Sequence, residues 1–282
     1  MCIVAIAWQL FDELPLILLS NRDEFLQRPT EPLHQWSDQP IYAGRDQQSG
    51  GTWLGIHQQP QEHEQENSYQ NGRWAAVLNF RDGVQASTDE RSRGALVTEF
   101  LTGTLSPMAF ARQIDLQSYA GFNLIIGDAK QAVIVNNRGH APTLLHAGLH
   151  VFSNGQFDEG WFKTERLRGR LRQEVLPLIA ESNTFEYWQE AAFNVLSDHM
   201  SAPMDKLPNT GVAVEIEQAL SSIYIKPIGL GTIETTMPTY GTRTQSILTL
   251  RHISSPNVLS DNSSMMHRAQ LDSREYKQGI NK

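Results

Sequence analysis

Met1-Cys2-Ile3-Val4-Ala5-Ile6-Ala7-Trp8 opens the chain. Pro15-Leu16-Ile17-Leu18-Leu19-Ser20-Asn21-Arg22-Asp23-Glu24-Phe25 follows after a loop or hairpin turn over Gln9–Leu14. Both pieces begin as short apolar runs, Cys2–Trp8 and Pro15–Ser20, and such runs bounded by turn residues read as strands. A strand that begins at the second residue ties the start of the chain into the fold, where a free terminus would fray. If residues 2–8 and 15–21 pair as a hairpin, the polar cluster that begins at Ser20 lies at the strand end beside Cys2.

The first 80 residues continue as strands and turns. Ile41–Ala43, Thr52–His57 and Trp74–Phe80 are further strand candidates, with Gly50-Gly51 marking a turn. Gln58–Asn71 is rich in Gln, Glu, His and Asn and reads as an exposed, flexible insertion loop. Helical spacing then appears over Glu90–Leu101, and Ser106-Pro107 reads as an N-cap opening a short helix to Arg112. Phe122–Gly127 and Ala132–Asn136 form a predicted hairpin. Leu144–His146 and His150–Ser153 are two more short strands. Phe162, Leu167, Leu171, Val175 and Ile179 recur at helical spacing and predict a helix over Glu159–Ile179. Thr184 is expected to cap a second helix reaching about Leu196. Ser222–Ile225, Gly231–Thr236 and Ser246–Leu250 are late strand candidates, with Pro238–Arg243 a turn-rich approach to the last. The expected domain is residues 1–255, with Pro256–Lys282 a loose polar tail. This order fits two mostly antiparallel sheets packed between helical layers, and equally an ordinary α+β fold.

Composition bounds the function. The 282 residues suffice for one large domain or two small ones, and 40% of them are hydrophobic. With 23 basic and 31 acidic residues the net charge is −8. That disfavours a nucleic-acid or anionic-membrane binder, which needs surplus Lys and Arg. The basic run Lys163–Arg172 reads as a solvated helix face. One cysteine cannot form an internal disulfide. Ile3–Trp8 lacks the basic leader of a signal peptide, and no run approaches the roughly 20 apolar residues of a membrane helix. A cytoplasmic protein that is not integral to a membrane is the expectation.

Cys2 has two readings. It can be a small apolar residue of the first strand. Alternatively, trimming of Met1 leaves a residue carrying both a thiol and a free α-amine. The amine, with a pKa of about 7.7–8.0, can act as base for the thiol. Arg22 can lower the thiol pKa, and an Asp23 carboxylate can hold the amine. Asn79 and Asn154 read singly as turn residues. Trp53 reads first as core, with cavity lining as the alternative. Asp46 with Arg45 can be a buried pair or a surface turn.

Taken together, Met1-Cys2, Asn21-Arg22-Asp23-Glu24, Ala43-Gly44-Arg45-Asp46 and Gly50-Gly51-Thr52-Trp53-Leu54-Gly55 resemble the NRDE family, also called the transport and Golgi organisation protein 2 family. The likeness continues through Leu78-Asn79-Phe80-Arg81, Phe122-Asn123-Leu124, Ser153-Asn154-Gly155 and Tyr240-Gly241-Thr242-Arg243. That family is similar in turn to N-terminal nucleophile hydrolases that cleave linear amides. The resemblance implies a four-layer αββα fold of the α+β class. It implies Cys2 as nucleophile, Arg22 and Asp23 beside it, Asn79 in an oxyanion hole, Asn154 as a second asparagine and Arg243 as a late arginine near the thiol. Asn21, Glu24 and Trp53 are the expected substrate contacts, with Glu24 an alternative to Asp23 as acidic partner. A small linear amide is the expected ligand, with no cofactor or metal required. The resemblance also brings a non-catalytic alternative, haem or lipid handling. A thiolate such as Cys2 can ligate haem iron, but His34, His57 and His63 form no haem motif.

Overall fold

The computed structural model describes residues 2–59, 72–84, 87–229, 238–253 and 266–276. The opening hairpin forms as expected: β1 (Cys2–Trp8) pairs antiparallel with β2 (Leu16–Phe25), from Cys2 opposite Arg22 to Trp8 opposite Leu16. Both strands lie inside the molecule, so both of their faces are apolar. Ile3, Ala5, Ala7, Ile17 and Leu19 face one core layer, and Val4, Ile6, Trp8, Leu16 and Leu18 face another. A one-residue slip would exchange these faces. Each large aliphatic side chain contributes about 1.5–3 kcal/mol when buried, so the apolar layers hold the register that sets Cys2 against Arg22.

Two antiparallel sheets make the centre of the molecule. The first sheet has the order β10 (Gly148–Phe152), β1, β2, β12 (Thr239–Ile253) and β11 (Ile228–Gly229), with β13 (Met266–Glu275) also paired to β12. The second runs in sequence order: β3 (Thr30–Gln35), β4 (Ile41–Asp46), β5 (Leu54–His57), β6 (Trp74–Asn79), β7 (Phe122–Gly127), β8 (Ala132–Asn136) and β9 (Thr143–Leu144). Between the sheets lie Val4, Ile6, Trp8, Leu16, Trp74 and Leu248. On the outer face of the second sheet, Leu96, Val97 and Phe100 of α1 (Arg93–Thr102) and Ala111 of α2 (Pro107–Gln113) cover Ile41, Ala75 and Val133. On the outer face of the first sheet, α3 (Phe162–Arg170), α4 (Leu176–Glu181) and α5 (Phe185–Leu196) contribute Leu167, Ile179 and Trp188. These layers are helix, sheet, sheet, helix, the αββα arrangement expected. A short α6 (Val214–Ala219) completes the α-helices among the described residues.

Several expectations need correction. The helix over Glu159–Ile179 begins at Phe162 and is interrupted by a π turn over Leu171–Val175. Pro177 has no N–H to donate and crowds the preceding turn, so the regular ladder cannot run through it. Ser106 caps α2 by accepting from the Ala109 N–H at 3.3 Å, whereas Thr184 sits at the N-cap of α5 without a side-chain bond. Ser222–Ile225 is a bend, not a strand, and β12 starts at Thr239, inside the segment read as turn-rich. The tail read as loose carries β13, paired to β12 from Glu275 opposite Thr244 to Met266 opposite Ile253. The predicted strand Gly231–Thr236 and most of the Gln58–Asn71 loop, His63 included, lie outside the described residues.

Candidate functional site

Cys2 lies on the inter-sheet face of β1, half-buried, at the wall of a cavity of about 390 Å³. Strand parity decides what stands beside it. Arg22, directly opposite, points into the same space, as does Glu24 two residues on. Asn21 falls on the other face and donates to the Leu196 and Ile223 carbonyls, both at 2.8 Å. Fully buried there, it locks the sheet to its helices. The structure does not bring it to the cavity as the substrate contact expected.

Arg22 is held on two sides. Its guanidinium lies 4.2 Å above the Trp53 ring and donates to Asp46 at 3.2 Å. Arg28 donates to the same carboxylate at 2.5 Å, and the Gln48 and Ser49 N–H groups complete its shell. Trp53 can sit there because Gly44 lies beneath it; a Cβ on Gly44 would fall 2.5 Å from the ring. Trp53 is thus half-buried cavity wall as well as packing. Asp46 is a buried partner of Arg22, not of Arg45, which pairs with Asp38 at 2.8 Å near the surface.

Asp23 borders the cavity beside Cys2, with its carboxylate turned toward the helical face. Its Oδ1 accepts from Thr242 Oγ1 at 2.6 Å, and its carbonyl accepts from the Tyr240 hydroxyl at 2.9 Å. Burial raises its carboxyl to about 6, against the pull of Lys163 and the Thr242 hydrogen bond. Lys163, 1% exposed on α3, is brought down to about 8 by burial, opposed by the Asp23 charge. Its Nζ donates to the Leu220 carbonyl at 3.3 Å. The reading of Lys163 as part of a solvated basic face is therefore corrected. Lys163, Leu167, Leu171 and Val175 recur every four residues on one buried stripe, a spacing already present in the sequence.

Burial also pushes the Cys2 thiol up. The Asp23 carboxylate adds to this, while the positive charge of the chain's α-amine, a backbone hydrogen bond from Asp23 and the Arg22 charge oppose it without cancelling it. Its environment thus favours the thiol over the thiolate.

Asn79 ends β6 at the cavity wall, with no side-chain hydrogen bond among the described residues. Asn154 does not line the cavity. It is fully buried and donates to the Asn79 carbonyl at 2.8 Å. Ser153 Oγ has one proton to give to either of two acceptors, the Cys2 carbonyl at 3.0 Å or Asn154 Oδ1 at 3.2 Å. Asn123 on β7 holds this segment by donating to the Ser153 and Gly155 carbonyls at 3.0 and 2.7 Å. Asn154 thus reaches the cavity wall only through the Asn79 backbone. Arg243 sits where the β12–β2 register shifts, and donates to the carbonyls of Leu26 and Arg28. It anchors that turn and is not brought to the thiol.

Arg93, which the sequence did not single out, lines the cavity at the first position of α1. His34 and His57 do not line it; they bond the Pro32 and Leu101 carbonyls. Among the described residues no helix is long and apolar enough to cross a membrane.

The four layers define an αββα protein of the α+β class, with the single cysteine at the start of an inner strand of one central sheet. The chain belongs to the Transport and Golgi organisation 2 family, whose model matches residues 1–261. It is 30% identical over 247 residues to the Transport and Golgi organization protein 2 homolog of Homo sapiens, covering 83% of this chain and 81% of that protein. The Bos taurus homolog is 28% identical with the same coverage. Among solved structures, a Caenorhabditis elegans N-acylethanolamine-hydrolyzing acid amidase (NAAA) ortholog matches with a TM-score of 0.45 and 13% identity, over 70% of this chain and 86% of that one.

Proposed function

We propose that the protein is a thiol-dependent amidohydrolase or acyltransferase acting on a small linear amide through Cys2. The observation that carries this reading is the convergence of Cys2, Arg22 and Asn79 on one cavity. Removal of Met1 leaves Cys2 with a free α-amine. That amine takes the thiol proton, which the raised thiol pKa makes necessary. The sulfur attacks the amide carbonyl carbon, and the carbonyl electron pair moves onto oxygen. The Asn79 amide donates to that oxygen, a contact of the kind worth about 2.7–4 kcal/mol in a preorganised site. Collapse of the adduct expels the amine, which carries away the proton from the α-ammonium and leaves a thioester on Cys2. Water, or an acceptor nucleophile, gives its proton to the α-amine and attacks the thioester. The thiol leaves and is reprotonated, releasing a carboxylic acid or a transferred acyl product.

Amine release from a panel of N-acyl amides tests this reading. Wild type is expected to release amine and Cys2→Ala to release none. Equal rates for the two proteins would reject Cys2 as nucleophile.

A further inference from the structure

The geometry points to an anion-binding subsite in the Cys2 cavity, built on Arg93 and the start of α1, that takes the carboxylate or phosphate head of an acyl amide. The inference rests on the amidohydrolase reading for the amide, but not for the recognition of the anion.

Four arginines line the cavity: Arg22, Arg28, Arg91 and Arg93. Three have acidic partners. Arg22 and Arg28 share Asp46, with Glu24 3.8 and 3.9 Å away. Arg91 pairs with Glu99 and lies over the Tyr119 ring. Arg93 forms no salt bridge among the described residues; its hydrogen bond is from Nη1 to the Gly121 carbonyl at 3.2 Å. A guanidinium carries five N–H donors, so most of its donor capacity is open to a ligand. The group is also half-buried, and burial pulls its pKa down although Glu24, Cys2 and Glu90 pull the other way. Glu24 and Glu90 border the same cavity but neither closes an ion pair with Arg93, and a cation stripped of part of its water and left without a direct carboxylate contact favours an incoming anion.

The backbone supplies a second favourable element. Arg93 is the first residue of a ten-residue helix, and the Ser92 side chain makes no cap hydrogen bond to it. Early N–H groups of a helix have no partner in the helix itself and attract negative charge. Ser92, Arg93 and Gly94 all border the cavity. Their close approach depends on paired glycines, since a Cβ on Gly51 would lie 2.7 Å from the Gly94 carbonyl carbon. The thiol and the anion subsite therefore share one cavity.

Binding to the full-length Cys2→Ala protein, measured by calorimetry, tests the subsite apart from turnover. The probes are N-octanoylglycine, N-octanoyl-O-phosphoethanolamine and neutral N-octanoylethanolamine. At least one anionic probe is expected to bind roughly tenfold tighter than the neutral one. The tighter of the two anions identifies carboxylate or phosphate as the head group. Adding Arg93→Gln is expected to bring the anion-to-neutral ratio near one, and Arg93→Lys to retain part of it. Equal binding of all three probes, no measurable binding of either anion, or a ratio unchanged by Arg93→Gln would overturn the proposal. If Arg93→Gln does not fold, the salt dependence decides: the ratio must fall between about 50 and about 500 mM salt, and a constant ratio overturns the proposal. Turnover by wild type separates the two readings. An anion preference without cleavage keeps the subsite and rejects the amidohydrolase, and cleavage without the preference does the reverse.

Discussion

Cys2 and Arg22 are direct cross-strand partners, on the same face of the sheet, at the wall of one cavity. The pairing makes Arg22 both a structural ion and the cation nearest in register to the thiol. Its side chain is 5% exposed and that of Asp46 10%. Breaking a buried pair costs about 3–5 kcal/mol, but Arg28 also holds Asp46. Arg22→Gln is therefore expected to cost about 2–3 kcal/mol in urea unfolding. It removes a charge that favours the thiolate, so the pH midpoint of Cys2 alkylation must rise. An unchanged or lower midpoint would contradict the assigned role.

Asn79 and Asn154 separate function from support. Asn79→Ala is expected to lower kcat about 10²–10³-fold with less than about 1 kcal/mol lost in stability. Asn154→Ala removes the donor to the Asn79 carbonyl and is expected to cost about 1–3 kcal/mol. Parallel kinetic and denaturation measurements on both variants distinguish them. Equal stability losses would remove the distinction.

Asp23 and Lys163 set a pH window. The Asp23 carboxyl lies near 6 in the fold against an ordinary 3.8, and Lys163 near 8 against 10.5. Both are charged between about 6 and about 8. A raised carboxyl leaves its relative stability fully present below about pH 4 and loses it as pH rises through about 6. Lys163 acts oppositely: stability present above about 10.5 is lost as pH falls through about 8. The stability of wild type relative to Asp23→Asn is expected to drop by about 2–3 kcal/mol from pH 4 to pH 7. A flat difference across that range would show that Asp23 is not perturbed. Lys163→Met removes a charge that favours the Asp23 carboxylate, so the drop must move to higher pH.

Gly51 tests the seam between the Thr52 loop and α1. Gly51→Ala places a methyl against the Gly94 backbone and is expected to cost about 1–3 kcal/mol. Thermal unfolding checks this, and a variant as stable as wild type would show that the seam yields freely.

The parts of the fold that lie between layers were legible because burial leaves a pattern. β1, β7 and β8 are buried along nearly their whole length, and their apolar runs mark their limits. Edge elements leave no such trace. β3 is Thr30-Glu31-Pro32-Leu33-His34-Gln35, with a register irregularity between Glu31 and His34, and β13 buries Leu271 among mostly polar neighbours. Exposed or edge strands need little apolar alternation, so both escaped notice. At the site, Cys2, Arg22 and Asn79 were legible as family motifs. The roles of Asn21, Asn154 and Arg243 were not, because strand parity and a bulge decide which way each side chain acts. Arg93 carried no signal beyond its charge; only the ion pairing of its neighbours sets it apart.

In the proposed reaction Cys2 is the mature terminal residue and accepts the acyl group. Incubation of wild type with p-nitrophenyl octanoate, followed by mass analysis of the N-terminal peptide, tests it most directly. The expected product is a peptide that begins at Cys2 and carries one octanoyl group. A peptide that retains Met1, or an octanoyl group found only on other residues, would contradict it.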